Sequence, residues 1–438
     1  MAFSADHFKK HAFLYAGLVF FAANLLLAEY VYEIRYPFII WSDAKGYYQY
    51  LPYLFIKHDI THMTYAYALE NGMTLNKYAC GTALLEMPFF LVVHLFNKVF
   101  GYIDSGFTSS YGYSILMTAV FWAYIGLMYV YKTLKLYFKK SVSFVTVAAL
   151  YLCSNLLYYT LGEPGMSHIY SFALLSVFIW RTHKFFVNKS YYNTLMMALP
   201  LGLAILVRPT NIIYLLLILF FSVYSIKELW QNLLTAIKHY KHILLFFLAM
   251  LLCYLPQMLY WHTVTGKFLY YSYGDEGFIY LGKPKLFSVL FAAESGWLVY
   301  SPVFILFFAG IVISLFRKKY HAYAILVCFL IIWYLDASWW TYSFACSFGY
   351  RAIVEFYPLF AIPLAYAVKQ ALQYRRKLLK YLLLAFLAIS TFANMRMTHL
   401  YYREKCWGGQ EWSWFMVNKV INKAFYIKYE GEWIKKEH

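Results

Sequence analysis

Membrane-length apolar runs recur from one end of this chain to the other, and no other feature narrows its possible folds as much. A helix crossing a hydrocarbon core of about 30 Å needs roughly 17–25 mostly apolar residues. Runs near that length fall at 12–30, 112–131, 143–161, 168–184, 192–208, 211–226, 243–262, 296–316, 321–335, 351–368 and 379–394. Inside lipid every backbone polar group must find its partner within the protein, so such runs fold as helices packed side by side. The sequence therefore predicts an all-α, polytopic membrane protein with about eleven transmembrane helices. Composition agrees: 63% of the 438 residues are hydrophobic and 13% charged, too much apolar surface for a water-soluble core to enclose. The 47 tyrosines and 13 tryptophans suit the membrane–water interface.

One segment resists assignment. Residues 84–100, "LLEMPFFLVVHLFNKVF", are apolar enough to span yet carry Glu86, His94, Asn97 and Lys98. The bias of Lys and Arg toward cytoplasmic loops decides. With 84–100 lying along the surface, the cytoplasmic side receives Lys9 and Lys10, the four lysines of 132–140, the basic residues of 181–189 and 227–241, the "RKK" at 317–319 and those of 369–380, more than half of the 38 basic residues. If it spanned, nearly all of the charges after it would be exported. The surface reading predicts an internal amino end, an external carboxyl end, and His94 and Lys98 on a solvated helix face. The first run is too long for an ordinary signal-peptide core, and "NLLLAEYVYEIRY" offers no small-residue cleavage site, so it reads as an anchor.

This topology gives a transmembrane domain, 1–394, with a long external loop at 31–111 carrying interfacial helices, a fourth external loop at 263–295, and an external tail, 395–438. In the tail Trp414, Val417, Ile421 and Phe425 share a helical face beside Lys419 and Lys423, which suits a helix on the outer leaflet or one docked on the other loops. The +18 charge is dispersed between apolar runs, so it reports topology and not nucleic-acid binding. The six cysteines show no metal-ligand spacing; Cys80, Cys346 and Cys406 fall outside, where a disulfide among them, such as Cys80 with Cys346, is open.

The external ends of the spans gather ionisable residues, which are costly near a bilayer and mark function. Asp43 opens "DAKGYYQYLPYLF", a mostly aromatic helix punctuated by Gly46 and Pro52. Glu163 sits in "GEPGMSH", with His168 at the top of the fourth span. Arg208 ends the fifth span in "VRPTN", Asp336 precedes "ASWWTYS", and Arg351 begins the tenth span with Glu355 a turn deeper. Each has a structural alternative. Asp43 can cap a helix, Glu163 can satisfy the first N–H groups of the fourth span, His168 can be a buried hydrogen-bonder, and Arg208 can meet a headgroup phosphate. Anchoring accounts poorly for Arg351 beside Phe348, Gly349 and Tyr350.

These residues carry a resemblance to the GT-C superfamily, polytopic glycosyltransferases that use lipid-phosphate sugars, such as protein O-mannosyltransferases and the aminoarabinose transferases of lipid A. "SDAKGYYQYLPYLF" resembles their D/E-x-x-x-Y motif after the first span. "LGEPGMSHIYSFAL" matches a turn that reads Thr-Pro-Asp in many members, and "LGLAILVRPTN" is similar to their GLA-x-LTRPT segment. "GWLVYSPVFILFFAGI" and "WWTYSFACSFGYRAIVEFYPLFAIPLA" resemble a family-39-like group of bacterial membrane proteins, and the likeness covers most of residues 10 to 370. The chain departs from the pattern in having Glu-Pro where many members have Pro-Asp, and in lacking a large folded external carboxyl-terminal domain.

The resemblance implies a sugar donor on a polyprenyl phosphate, used at the outer face of the cytoplasmic membrane. Phosphate leaves without protonation, so the paired acids of hydrolases are unnecessary. One general base suffices, and inversion at the anomeric carbon follows. Asp43 is the expected base, with Tyr47 and Tyr48 around it. Arg351 is expected to clamp the departing phosphate through its planar fork, with Arg208 as second candidate. Glu163 would orient the acceptor, a glycan, glycolipid or protein hydroxyl; a divalent ion at Glu163 and His168 is conceivable, but no sequence feature requires a metal or other cofactor. Trp339, Trp340 and Tyr342 would stack on the sugar or line the lipid groove, with interfacial belt residues as the alternative. A transporter or flippase of a lipid-linked or small polar substrate is the competing class; it favours inverted repeats and mid-span charges, whereas the charges here sit at span ends.

Overall fold

The computed structural model describes residues 5–35, 39–102, 105–344, 347–373, 377–404 and 413–425. Helix α1 (Ala5–Leu26) ends in a π-helical turn (Leu27–Val31) and is followed by two short helices, α2 (Ser42–Tyr48) and α3 (Tyr50–Phe55). A two-residue antiparallel ribbon, β1 (Tyr67–Ala68) with β2 (Thr74–Leu75), precedes α4 (Gly81–Val99). Then come α5 (Ser109–Leu134), α6 (Lys140–Leu152), α7 (Leu156–Leu161), α8 (Ser167–Val187) and α9 (Tyr191–Val207). The second half holds α10 (Leu215–Leu219), α11 (Ile226–Lys238), α12 (Tyr240–Thr265), α13 (Leu286–Phe291), α14 (Trp297–Tyr300), α15 (Ile305–Phe316), α16 (Ala322–Ser338), α17 (Tyr357–Gln373), α18 (Lys377–Glu404) and α19 (Trp414–Phe425).

Among the described residues six helical stretches are long and apolar enough to cross a membrane: His11–Val31, Gly81–Val99, Ser109–Leu134, Tyr240–Thr265, Arg351–Gln373 and Lys377–Arg403. Five coincide with expected spans. Shorter apolar helices occupy five more, and α8 the last. The sixth long stretch is α4, the segment read as surface-lying. The chain is thus a multi-pass, all-α membrane protein, in which eleven full spans are not individually resolved. The run at 143–161 is broken between α6 and α7, where Ser154 Oγ donates back to the Leu150 carbonyl and Asn155 turns its amide to Phe348. The run at 211–226 is shortened because Pro209 opens a 3-10 turn (Pro209–Tyr214), after which α10 ends at Leu219.

Burial separates a centre from a rim. Helices α8 and α17 are enclosed by α5, α6, α9 and α15. The rim helices α1, α12 and α18 expose Leu18, Val19, Leu248, Leu252, Leu382 and Ile389. An apolar exterior around a buried centre is what a lipid solvent favours.

Helix α4 corrects the expectation for its polar residues. It runs antiparallel along α5: Trp122 Nε1 donates to the Leu85 carbonyl, Phe89 meets Phe121, and Asn97 Nδ2 donates to Ser110 Oγ. His94 is half-buried, 3.0 Å from the Tyr111 hydroxyl and stacked on Phe90; only Lys98 of the pair is exposed. The outward face is Val92, Leu95, Phe96, Val99 and Phe100. Hydrogen-bonding groups turned inward because no water was available to them on the lipid side.

At the other end, α18 continues unbroken past residue 394. Helix α19 docks on it through Val417, Val420 and Ala424, whose carbonyl accepts from Arg396 Nε, and leaves Trp414, Phe415, Ile421 and Phe425 exposed. Cys80 is a buried free thiol. Cys346 and Cys406 lie outside the described residues.

Candidate active site

Six separated stretches converge on one cavity of about 440 Å³. Its walls are the start of α2 (Ser42, Asp43, Tyr47), Lys77 and Tyr78, the turn before α8 (Glu163, Met166), the break after α9 (Arg208, Pro209, Thr210), and the chain from Asp336 to Phe344 with Arg351. Tyr271, Tyr273, Glu276 and Phe278, from the connection between α12 and α13, close the top.

Asp43 is the centre of the polar network. Arg351 Nη2 donates to its Oδ2 at 3.0 Å and the Tyr78 hydroxyl to its Oδ1 at 2.6 Å. Burial alone would push the Asp43 carboxyl up, but the Arg351 guanidinium, the Tyr78 bond and the more distant Lys77 and Arg208 charges outweigh it and hold the group below the usual carboxylate range. The acid is therefore ionised at neutral pH. Tyr78 is driven the other way, by burial and then by the Asp43 charge, so it stays a proton donor. Ser42, directly before the acid, sits at φ 48°, a left-handed conformation that costs a non-glycine residue about 1–2 kcal/mol.

Glycine makes the Tyr78 bond possible. A Cβ on Gly46 would lie 2.1 Å from Tyr78 Cδ2. Gly46→Ala must displace that ring and the hydroxyl that orients Asp43. Transfer is expected to fall roughly 10–100-fold, as misplacement of about 1 Å typically does, with a loss of about 1–3 kcal/mol of stability from overpacking; steady-state kinetics beside a melting curve checks this.

Arg351 is aimed by its preceding loop. Gly349 has φ 64°, and its Cβ position is 2.8 Å from Tyr300 Cβ, so only glycine fits. Asn155 Nδ2 holds the Phe348 carbonyl at 3.1 Å. Arg208 is presented differently: the following proline excludes the helical conformation at 208, ending α9 at Val207. Its Nε lies 2.9 Å from Glu355 Oε1, an ion-pair distance bent too far for a hydrogen bond. His168 Nδ1 is 3.2 Å from the other oxygen of Glu355. Arg208, Glu355 and His168 thus form a row whose first member shares the cavity wall with Asp43 and Arg351.

The structure sorts the expected residues clearly. Asp43, Glu163, Arg208, Arg351, Tyr47, Trp339 and Trp340 all line the cavity. Tyr48 does not: it is fully buried, packs edge-on against Phe90 and Phe107, and donates to the Gly106 carbonyl at 2.6 Å. One residue along a helix turns the side chain by about 100°, so Tyr47 and Tyr48 cannot share a face. Tyr342 is absent from the lining and meets Tyr280 edge-on. His168 is buried behind the wall, turned toward Glu355, so it does not join Glu163 at the surface where an ion would sit. Among the described residues no group of three or more His, Cys, Asp or Glu is placed to hold a metal.

Lys77 and Tyr78 were missed, because nothing marks them in "LNKYACG" as different from other loop residues. Lys77 Nζ is 2.6 Å from Glu276 Oε1, tying the connection before α4 to the one that closes the cavity. Burial would lower the Lys77 ammonium, but the Glu276 bond raises it overall. Ser272 Oγ donates to the Lys77 carbonyl, and Trp340 N to that of Gly277.

The fold is GT-C-like: a polytopic helical bundle whose first long connection folds back over one end of the spans. The chain is similar in structure to the archaeal oligosaccharyltransferase AglB from Archaeoglobus fulgidus, solved with an inhibitory peptide and a dolichol-phosphate, with a TM-score of 0.53 and 12% sequence identity. The likeness covers 94% of this chain and 58% of AglB, so the chain spans somewhat over half the length of that protein. No protein-family model and no curated protein matches the sequence.

Proposed function

We propose that this protein is an inverting glycosyltransferase, moving a sugar from a polyprenyl-phosphate donor to an acceptor hydroxyl at the outer face of the cytoplasmic membrane. The observation that carries the reading is Asp43 held ionised beside Arg351 in one cavity at the end of a GT-C-like bundle. AglB, which has a similar fold, was solved with a dolichol-phosphate, consistent with a lipid-linked donor.

In this reading Asp43 takes the proton of the acceptor hydroxyl as its oxygen bonds to the anomeric carbon. The bond from that carbon to the phosphate oxygen breaks, its electron pair going to the leaving polyprenyl phosphate. Only one of the N–H groups of Arg351 is given to Asp43, so the rest of its fork remains for the phosphate oxygens. Arg208 adds a second positive charge on the same wall. Glu163 orients the acceptor, and Tyr47, Trp339 and Trp340 contact the sugar ring.

The test is sugar transfer by purified protein in lipid from a panel of synthetic polyprenyl-phosphate sugars to an envelope extract, read by mass spectrometry. Transfer of one sugar with inverted anomeric configuration is expected. Donor crossing the bilayer without transfer would replace this reading with the transporter or flippase.

A further inference from the structure

Glu86 is the acid that made α4 hard to place, and the proposed reaction leaves it unused. It is 1% exposed and points at α8, where the Tyr170 hydroxyl lies 2.9 Å from its Oε1. The same hydroxyl lies 3.1 Å from the carbonyl of Pro164, in the turn that presents Glu163 to the cavity. Tyr170 is itself fully buried.

Counting protons favours one arrangement of these three groups. A tyrosine hydroxyl has one proton to donate. The Pro164 carbonyl has none, so the two contacts are separate two-centre hydrogen bonds only if Glu86 supplies the second proton: Glu86 Oε1–H to Tyr170 Oη, and Tyr170 Oη–H to Pro164 O. With Glu86 ionised, Tyr170 would have to share its one proton between the carboxylate and the Pro164 carbonyl, weakening both bonds. The surroundings agree. No cation pairs with Glu86 among the described residues, its Oε2 has no partner, and neither has the buried Thr82 hydroxyl one turn earlier on α4. An unpaired, unsolvated carboxylate is far more costly there than a neutral acid.

We propose that Glu86 is a positioning residue that retains its proton and, through Tyr170, sets the Glu163–Pro164 turn of the candidate active site. Its function rests on the glycosyltransferase reading; its protonation does not. Backbone bonds shape the turn itself: the N–H groups of Gly162 and Glu163 both donate to Tyr158 O, and that of Met166 donates to Glu163 O. Just beyond it, Ser167 Oγ lies 3.3 Å from the Tyr47 hydroxyl of α2. The Glu86–Tyr170 pair supplies a tie to α4, a helix that borders the first external loop, and so couples Glu163 to the segment that carries Asp43.

Two experiments test this. Infrared difference spectroscopy of the full chain in nanodiscs, native against Glu86→Gln, is expected to show the carbonyl stretch of a protonated acid lost in the variant at neutral pH; loss of carboxylate bands instead overturns the proposal whatever the enzyme does. In transfer assays Glu86→Gln, whose amide can donate to Tyr170 as the acid does, is expected to keep turnover within about twofold. Tyr170→Phe and Glu86→Ala are expected to lower kcat about tenfold or more at little changed donor KM. In a Glu163→Gln background Glu86→Ala should have no further effect, because coupled residues do not add. Full additivity, or Glu86→Gln as damaging as Glu86→Ala with unchanged melting temperature, overturns the positioning role.

Discussion

Asp43→Asn is expected to lower kcat for sugar transfer by about 10²–10⁴-fold, the usual contribution of a general base, while donor binding is retained. The substitution is nearly isosteric, and the Asn oxygen can still accept from Tyr78, so the wall of the cavity keeps its shape. What disappears is the group on that wall that is held ionised and reaches both Tyr78 and Arg351. Arg351 loses its anionic partner, which leaves the whole fork for the donor phosphate, so donor affinity should hold or rise. A kcat effect without a KM effect is the signature of an interaction made in the transition state. Binding of a donor analogue beside single-turnover transfer measures both. Unchanged turnover would remove Asp43 from the mechanism and with it the proposed function.

Arg351→Gln is expected to be nearly as damaging, about 10²–10³-fold in kcat, the cost of losing one preorganised donor to developing charge, and to move the pH profile as well. In the native protein burial pushes the Asp43 carboxyl up and Arg351 is the largest influence holding it down. Without Arg351 the burial effect prevails and the Asp43 pKa rises. Activity that needs ionised Asp43 then fails at a higher pH as the solution is acidified, so the acidic limb shifts toward neutrality. Stability follows the same sign. A carboxyl whose folded pKa is lowered contributes stability above its unfolded value, and that contribution is lost as pH falls through the folded value; the variant lacks it. The pair is partly exposed, so the stability change should be smaller than for a fully buried pair. Arg351→Lys keeps the charge but loses the fork, and should fall between native and Gln. An unchanged acidic limb in Arg351→Gln would show that Asp43 is not the group the profile reports.

The lining of the cavity was legible where a charged residue interrupted an apolar run at a span end, as with Asp43, Glu163, Arg208 and Arg351. It was not legible for Lys77 and Tyr78, which reach the cavity only because a long connection folds back over the bundle. Tyr48 and Tyr342 were misread because aromatic residues are too common here for presence near Asp43 to imply a direction. His94 was misread for another reason: a polar residue on an interfacial helix faces water only when water is on that side, and α4 turns its apolar face outward.

Sequence alone determined the solvent this chain folds in, the helical class that solvent imposes, and which ends of the spans bear charge, since all three follow from local composition and the dimensions of a bilayer. Tertiary structure alone decided which charges meet. The 3.0 Å contact between Asp43 and Arg351 joins residues 308 positions apart; around it a glycine at 46 admits the Tyr78 ring, a glycine at 349 turns the loop before Arg351, and a proline at 209 stops the helix before Arg208, none of which declares its partner locally.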